Sequence, residues 1–212
     1  RVSSSAASDV YKRQIIMKML DLGVLGIIAP MINTKEDCEK FVSYCYYPPI
    51  GQRSFGPMRA QVAYGSDYYQ HANKNIISLA MIETKEAVDN LDAILSVPNL
   101  TGIYIGPADM SSSYGLPPKF DVKEDPVFSN IKMIVKKARD KGKVAGIHNG
   151  SVQYLKEMIK IGFQFTSLLS DFRIMSSHAE SLLKEIKNVD TKSDNTSAVS
   201  YTHLTLPTMI RG

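Results

Sequence analysis

The chain has 212 residues, of which 44% are hydrophobic and 22% are charged. This composition is typical of globular proteins and argues against a disordered or fibrous chain. The sequence has no run of about 18 apolar residues, so it predicts no membrane span. The formal net charge of +4 arises mostly at the two ends, where Arg1, Lys12, Arg13 and Arg211 are offset only by Asp9. A nucleic-acid or anionic-membrane surface therefore has little support.

The two ends of the chain differ from the rest. Residues 1–14 are rich in Ser and Ala and show no helical or strand period. They resemble translated sequencing-adapter segments, which are excluded from fold reasoning; a genuine disordered tail at each end is the alternative. The sequence predicts a non-native segment over 1–14, a folded domain over 15–188 and a tail over 189–212, of which 199–212 is again adapter-like.

The two cysteines, Cys38 and Cys45, fall in one predicted helix. Two helical turns separate them by about 10.5 Å along the axis, which is beyond the reach of a disulfide. Their spacing is not that of a paired-cysteine metal site, and the sequence shows no secretory signal. The expected location is therefore a reducing cytoplasm.

The predicted elements alternate between helices and strands. Gly23 ends the first helix, Thr34 and Asp37 predict a capping box for the next one, and Pro48-Pro49 ends that helix. The stretch 50–75 shows no clear period, and a loop of that length is usually functional or has structure of its own. The pattern predicts strands over 25–30, 76–82, 102–105, 144–147 and 163–168, and helices over 15–22, 34–46, 85–95, 125–141, 152–161 and 172–186.

This alternation predicts a parallel sheet with helices outside it. A closed α/β barrel needs eight strand–helix units and about 250 residues. The sequence supplies about five such units, preceded by the tail of a helix whose own strand is absent. It therefore predicts an incomplete barrel. This is expected if the sequence is part of a longer protein and lacks the first three strands of the barrel.

Two carboxylates follow successive predicted strands. Glu83 comes directly after the strand 76–82, and Asp109 follows the strand 102–105. Neighbouring strands lie about 4.8 Å apart, so both carboxylates can reach one cation at about 2.1 Å. Singly, Glu83 is equally explained as a carboxylate at a helix start, and Asp109 as a loop cap. Both carboxylates directly follow a strand end, so they are expected to converge. With no Cys or His nearby, this pair of carboxylates favours a hard octahedral ion such as Mg²⁺ or Mn²⁺.

The turn that carries Asp109 suggests what binds beside the cation. A Gly-Pro turn at Gly106-Pro107 permits close approach, and the N–H groups of Ala108 and Asp109 can cradle an anionic carboxylate. A ligand that chelates a cation through a keto oxygen and a carboxylate oxygen fits between these features. The pattern therefore predicts a 2-oxo acid, whose enolate the cation would stabilise as a Lewis acid.

Several ordered segments resemble the HpcH/HpaI aldolase family of metal-dependent class II pyruvate aldolases, related to 4-hydroxy-2-oxoheptanedioate and 2-dehydro-3-deoxyglucarate aldolases. This resemblance implies an eight-stranded TIM barrel of the phosphoenolpyruvate/pyruvate-binding type, in a hexamer that commonly exchanges its last helix between subunits. The family's two metal-binding carboxylates fall on Glu83 and Asp109, and its contact to the pyruvate carboxylate falls on the Ala108 amide. The resemblance covers residues 15–188 and depends on the segments 16–42, 46–57, 80–95 and 102–111.

The chain also departs from the family pattern. Family members often carry Gln two positions before the metal-binding Glu, where it contacts the oxo acid, but this chain has Met81. The loss of that hydrogen-bond donor implies a different substrate preference. The family's catalytic His and its enolate-stabilising Arg belong to its second and third strand regions, which have no counterpart here. The catalytic residues therefore stay unassigned.

Two more polar residues are candidate substrate-binding residues. Arg53 either forms a structural ion pair or binds an acid group of the substrate. His148 follows the strand 144–147 and lines an aldehyde pocket, or forms an outer hydrogen bond, or is a locally satisfied histidine. The residues alone leave these alternatives open.

The resemblance implies a carbon–carbon lyase that reversibly cleaves a 4-hydroxy-2-oxo acid to pyruvate, or a similar 2-oxo acid, and an aldehyde. Its cofactor would be Mg²⁺ or Mn²⁺, with Co²⁺ as a further option. Its partners would be these small molecules and further copies of itself, with no nucleic acid and no membrane. A citryl- or malyl-thioester lyase is one alternative, and a catalytically incomplete fragment is the other.

Overall fold

The computed structural model describes the backbone of residues 4–187 and the side chains of residues 12–187. The predicted tail over 189–212, including its adapter-like part, lies outside the described residues. Among the residues described, no helix is both long enough and apolar enough to cross a membrane. The chain divides into two compact units, residues 1–169 and 170–212.

Five parallel strands form one sheet in the first unit. Each strand pairs with the next one along the chain, in the order β1-β2-β3-β4-β5. Parallel neighbours in sequence order, connected by helices, are the arrangement of an α/β barrel. The prediction of an incomplete barrel with about five strands is confirmed, the strands being β1 (Gly26–Ala29), β2 (Ile77–Ile82), β3 (Gly102–Ile105), β4 (Val144–Asn149) and β5 (Phe165–Leu168).

Most of the helices connect these strands; the first helix precedes β1, and the last one lies in the second unit. The predicted capping box is present: Thr34 Oγ1 accepts a hydrogen bond from the Asp37 N–H, and the Asp37 carboxylate accepts one from the Thr34 N–H. The helices are α1 (Ser4–Asp21), α2 (Lys35–Cys45), α3 (Met58–Tyr64), α4 (Tyr68–Asn75), α5 (Lys85–Asp89), α6 (Leu91–Leu95), α7 (Pro107–Ser113), α8 (Val127–Asp140), α9 (Val152–Ile161) and α10 (Asp171–Lys187).

The structure differs from the predicted elements in five places. Helix α1 begins at Ser4, because a formed helix extends into a neighbouring Ser/Ala-rich segment at much lower cost than a new helix nucleates. The stretch 50–75 contains α3 and α4, and Asn90 divides the predicted helix 85–95 into two. Helix α7, directly after β3, was not predicted. Helix α8 begins at Val127, two residues after the predicted start at 125, and Asp125 Oδ1 accepts the Ser129 N–H.

The sheet packs one of its faces against the helices. Ile82, Ile103, Ile105 and Ile147 are completely buried in a core that includes the apolar stripes of α2, α6 and α8. Because side chains alternate between the two faces of a strand, the residues directly before and after these isoleucines project from the opposite face of the sheet. We call this the inner face; at its carboxyl end it carries Met81, Glu83, Tyr104, Gly106, His148 and Ser167.

The two cysteines belong to the helix-covered core. Cys38 and Cys45 are buried and unbridged on the apolar face of α2. Burial raises the pKa of each thiol to about 12. Both side chains are therefore protonated packing residues with no thiolate chemistry at neutral pH.

Candidate active site

Glu83 is the most deeply buried carboxylate of the inner face. Its residue exposure is 3%, and its Oε1 accepts the Met31 N–H at 2.7 Å. Met31 follows β1 with a φ of 56°, an uncommon conformation for a residue other than glycine. Burial raises the pKa of Glu83, the hydrogen bond from Met31 lowers it, and the nearby Asp109 carboxylate raises it further. Two strand ends, β1 and β2, thus fix this carboxylate in place.

Asp109 approaches Glu83 from the next strand. It lies in the first turn of α7, which begins directly after β3, and its side chain is exposed. The sequence predicts that the two carboxylates converge, and the Asp109 carboxylate lies close enough to Glu83 to raise the pKa of Glu83. Ala108 precedes Asp109 in the same turn, where backbone N–H groups have no partner within the helix. Its predicted contact with a substrate carboxylate stays a prediction.

Gly106 separates the strand end from α7 and leaves room for Glu83. A Cβ at this position would lie 2.7 Å from Glu83 Oε2 and 2.7 Å from Met81 Cε. Both distances are shorter than real Cβ contacts. The glycine is therefore required for the observed position of Glu83, and it places the Met81 thioether beside the carboxylate, where the family often has Gln.

The donor set fits a hard divalent cation. It consists of the Glu83 and Asp109 carboxylates. Met31 donates its hydrogen bond to Oε1 of Glu83, so this bond does not engage Oε2. Residues 12–187 contain no group of three or more His, Cys, Asp and Glu side chains suited to a metal. Ions such as Mg²⁺ are held by one or two carboxylates and keep several positions for water and substrate. The residues present suit that mode of binding.

Arg53 lies away from this group and makes structural contacts. Its side chain is completely buried; Nη2 forms an ion pair with Asp21 Oδ1 at 2.9 Å, and Nη1 donates to the Tyr68 hydroxyl at 3.2 Å. The guanidinium also stacks on the Tyr47 ring at 4.3 Å. Of the two roles predicted for Arg53, these contacts favour the structural ion pair.

His148 lies on the inner face at the end of β4. Its Nδ1 is 2.8 Å from Ser167 Oγ, and its ring meets the Phe120 ring edge to face at 4.7 Å. Sequence reasoning missed Ser167, Phe120 and Met31 as neighbours of the site. The position of Ser167 at the end of β5 was the one available signal, since strand ends converge in parallel folds.

The fold and these strand ends define an α/β-barrel protein with a carboxylate pair suited to a divalent cation. The profile of the HpcH/HpaI aldolase/citrate lyase family matches residues 1–176. The chain belongs to this family. The match includes residues 1–14, which the sequence prediction had set apart.

Individual relatives agree with this assignment. The chain is 40% identical over 172 residues to the hydroxypyruvate/pyruvate aldolase of Rhizorhabdus wittichii, covering 81% of this chain and 68% of that protein. It is 33% identical over 184 residues to a 2-keto-3-deoxy-L-rhamnonate aldolase of Salmonella paratyphi B, covering 85% and 68%. Among solved structures, an HpcH/HpaI aldolase from Desulfitobacterium hafniense has a TM-score of 0.78 at 22% identity, covering 86% of this chain and 71% of that one, which supports the fold.

Proposed function

We propose that the full-length protein is a class II aldolase, a carbon–carbon lyase that reversibly cleaves a 4-hydroxy-2-oxo acid to pyruvate, or a similar 2-oxo acid, and an aldehyde. The observation that carries this proposal is the pair Glu83 and Asp109 on successive strand ends, beside the small Gly106. The aldolase names of the relatives support the same reaction class.

Each residue of the site has a defined part in this reaction. Glu83 and Asp109 would hold Mg²⁺, Mn²⁺ or Co²⁺, and such a cation supplies Lewis-acid stabilisation of negative charge when bound. The Ala108 amide orients the carboxylate of the oxo acid. Met81 presents an apolar surface where a polar contact is common in the family, so we expect its preference among 2-oxo acids to differ from that of relatives with Gln at this position. The base that takes the C4 hydroxyl proton is not assigned to a residue of this chain.

A thioester lyase is the second candidate, because the matching family includes citrate lyases. Parallel assays of the full-length protein with Mn²⁺ distinguish the two activities. One assay supplies 4-hydroxy-2-oxo acids, and the other supplies citryl- or malyl-thioesters. We expect cleavage of the free oxo acids, detected as pyruvate release. Cleavage of the thioesters alone would contradict the proposal.

We also propose that the protein is a cytoplasmic homo-oligomer. The unbridged Cys38 and Cys45 support a reducing compartment. Apolar side chains on and near α3 are highly exposed, as expected for a surface that a second subunit covers: Phe55, Met58 and Val62. Light scattering of the full-length protein is expected to give a mass several times that of one chain, and a monomer would contradict this.

Gly106 provides a test of the site geometry. We expect the Gly106→Ala variant to bind Mn²⁺ at least about tenfold more weakly, because its Cβ displaces the Glu83 carboxylate and the Met81 methyl. Both of these contacts are flexible side-chain ends, and the third neighbour, Glu83 Cβ at 3.2 Å, has to give by only a few tenths of an ångström, so the variant should fold normally. Titration calorimetry measures the affinity, and circular dichroism the fold.

Gly56→Ala is the matched control. A Cβ at Gly56 meets only the Asp21 carboxylate, at an ordinary 3.4 Å. The control is expected to keep the wild-type affinity for Mn²⁺. Equal affinities for all three proteins would show that Gly106 has no role in positioning Glu83.

A further inference from the structure

Side-chain hydrogen bonds connect the loop after β1 to the segment after β2. The Thr84 hydroxyl donates to Asn33 Oδ1 at 2.6 Å, and Asn90 Nδ2 donates to the Asn33 carbonyl oxygen at 2.9 Å. Asn33 is therefore held through its side chain and through its backbone by the segment that follows Glu83. Asn33 and Thr84 are 51 positions apart, so no local pattern in the sequence indicates their bond.

Thr84 also caps helix α5. Its Oγ1 accepts the Ala87 N–H at 3.0 Å, as the side chain of an N-cap residue does. A single hydroxyl thus accepts one hydrogen bond from its own helix and donates another to the neighbouring loop. Because the cap fixes Thr84 directly after Glu83, the donated bond sets where Asn33 lies relative to that carboxylate.

Helix α2 holds the same loop, residues 31–34, from its other end. Asp37 Oδ2 accepts the Thr34 N–H at 3.2 Å and the Asn33 N–H at 3.4 Å. Between these ends, Ile32 is buried in the core and anchors the loop to it. The loop is therefore fixed by α2 on one side and by Thr84 and Asn90 on the other.

Met31 shows what this fixing achieves. Its φ of 56° is uncommon for a residue with a Cβ atom, and such a conformation persists only where surrounding contacts hold it. In this conformation the Met31 N–H donates to Glu83 Oε1 at 2.7 Å. The Met31 side chain is 49% exposed, so its own packing does little to hold the backbone. The direction of this N–H therefore depends on the contacts of Asn33, two residues further on.

We propose that Asn33 and Thr84 are positioning residues of the metal site, whose hydrogen bond holds the Met31 N–H against Glu83 and so orients this carboxylate toward the cation. This inference rests on the proposed function, which assigns the cation to Glu83 and Asp109. Groups that hydrogen-bond a metal-binding carboxylate keep it in its ligating orientation, and their loss weakens metal binding roughly 10–100-fold. Asn33 and Thr84 act one step further out, through the Met31 N–H.

Titration calorimetry of the full-length protein with Mn²⁺ alone tests this inference. Asn33→Ala removes the acceptor of the Thr84 hydroxyl but keeps the carbonyl that Asn90 contacts and the cap of α5. We expect it to weaken Mn²⁺ binding about five- to tenfold, near the lower end of that range, because the effect passes through Met31. Thr84→Ala should have a similar effect, and Thr84→Ser, which keeps the hydroxyl, should bind Mn²⁺ as the wild type does.

Ser151→Ala is the matched control for the loss of a helix cap. The Ser151 side chain accepts the Tyr154 N–H at 3.2 Å and caps α9, directly after β4. This variant loses the same kind of cap bond as Thr84→Ala and is expected to keep the wild-type affinity for Mn²⁺. Affinities of Asn33→Ala and Thr84→Ala within about twofold of the wild type, or an equal loss in Ser151→Ala, would overturn the inference.

Two further measurements distinguish positioning from a purely structural role. A structural role would lower the urea midpoint of Asn33→Ala while the folded protein kept its Mn²⁺ affinity, and that result would overturn the inference. At saturating Mn²⁺, the kcat of Asn33→Ala for 4-hydroxy-2-oxo acids should return to within about twofold of the wild type, because the role is confined to the metal site. A kcat that stays low at full Mn²⁺ occupancy would contradict that role.

The wild-type protein separates failure of this inference from failure of the proposed function. A wild type that neither binds Mn²⁺ nor cleaves 4-hydroxy-2-oxo acids would refute the proposed function, and the inference with it. A wild type that does both, with Asn33→Ala and Thr84→Ala matching its Mn²⁺ affinity, would refute the inference alone.

Discussion

Replacing Glu83 by Gln in the full-length protein is expected to reduce metal-dependent cleavage by more than about a hundredfold, because the variant loses a charged ligand of the cation. The glutamine side-chain oxygen can still accept the Met31 N–H that Glu83 Oε1 accepts now. The fold should therefore survive while the metal site fails. Asp109→Asn is expected to have the same effect from the other strand end. Initial rates at increasing Mn²⁺ concentration measure the loss.

Glu86→Gln is the matched control for this experiment. Glu86 lies in the first turn of α5, close to Glu83 in sequence, but its side chain is exposed. We expect this variant to keep the wild-type rate and Mn²⁺ dependence. Rates and a Mn²⁺ dependence that stay at the wild-type level in Glu83→Gln and Asp109→Asn would contradict the assignment of the two carboxylates.

Removing the Asp21 carboxylate is expected to give the largest loss of stability. The Asp21→Asn variant leaves the Arg53 guanidinium buried with no counter-charge, which typically costs about 3–5 kcal/mol. Arg53→Met should cost less, because Asp21 is 25% exposed and water can solvate it once the arginine is gone. Urea denaturation of the full-length protein measures both free energies of unfolding.

Asp92→Asn serves as the comparison for an exposed ion pair. Asp92 pairs with Lys137, and the two side chains are 62% and 40% exposed. Such pairs contribute at most about 1 kcal/mol. If Asp21→Asn destabilises the protein no more than Asp92→Asn does, the buried pair has no special structural role. A large loss of kcat/KM at unchanged stability would instead favour the substrate-binding alternative for Arg53.

The fold was largely predictable because the signals that define it are local. Apolar runs bounded by glycine and proline marked the strands, and the Thr34 capping box marked α2. Helix α7 was missed because it follows β3 with only Gly106 between them, so no loop signal separated the two. The break at Asn90 was missed because the apolar residues of α5 and α6 continue on one face across it.

The site was predictable in part. Glu83 and Asp109 could be paired because parallel strands end at the same edge of a sheet, which is a topological rule. Their supports could not be found in the same way. Met31 is 52 positions from Glu83, and Asp21 is 32 positions from Arg53, so each contact depends on how distant segments pack. The same holds for His148 and Ser167, which are 19 positions apart.

The central claim is that Glu83 and Asp109 together hold the divalent cation of an aldolase. A crystal structure of the full-length protein with Mn²⁺ and pyruvate tests it most directly, since anomalous scattering locates the manganese ion. We expect an anomalous peak about 2.1–2.2 Å from a carboxylate oxygen of each residue, with pyruvate completing the coordination. A manganese ion bound by other residues, or pyruvate bound away from these two carboxylates, would contradict the claim.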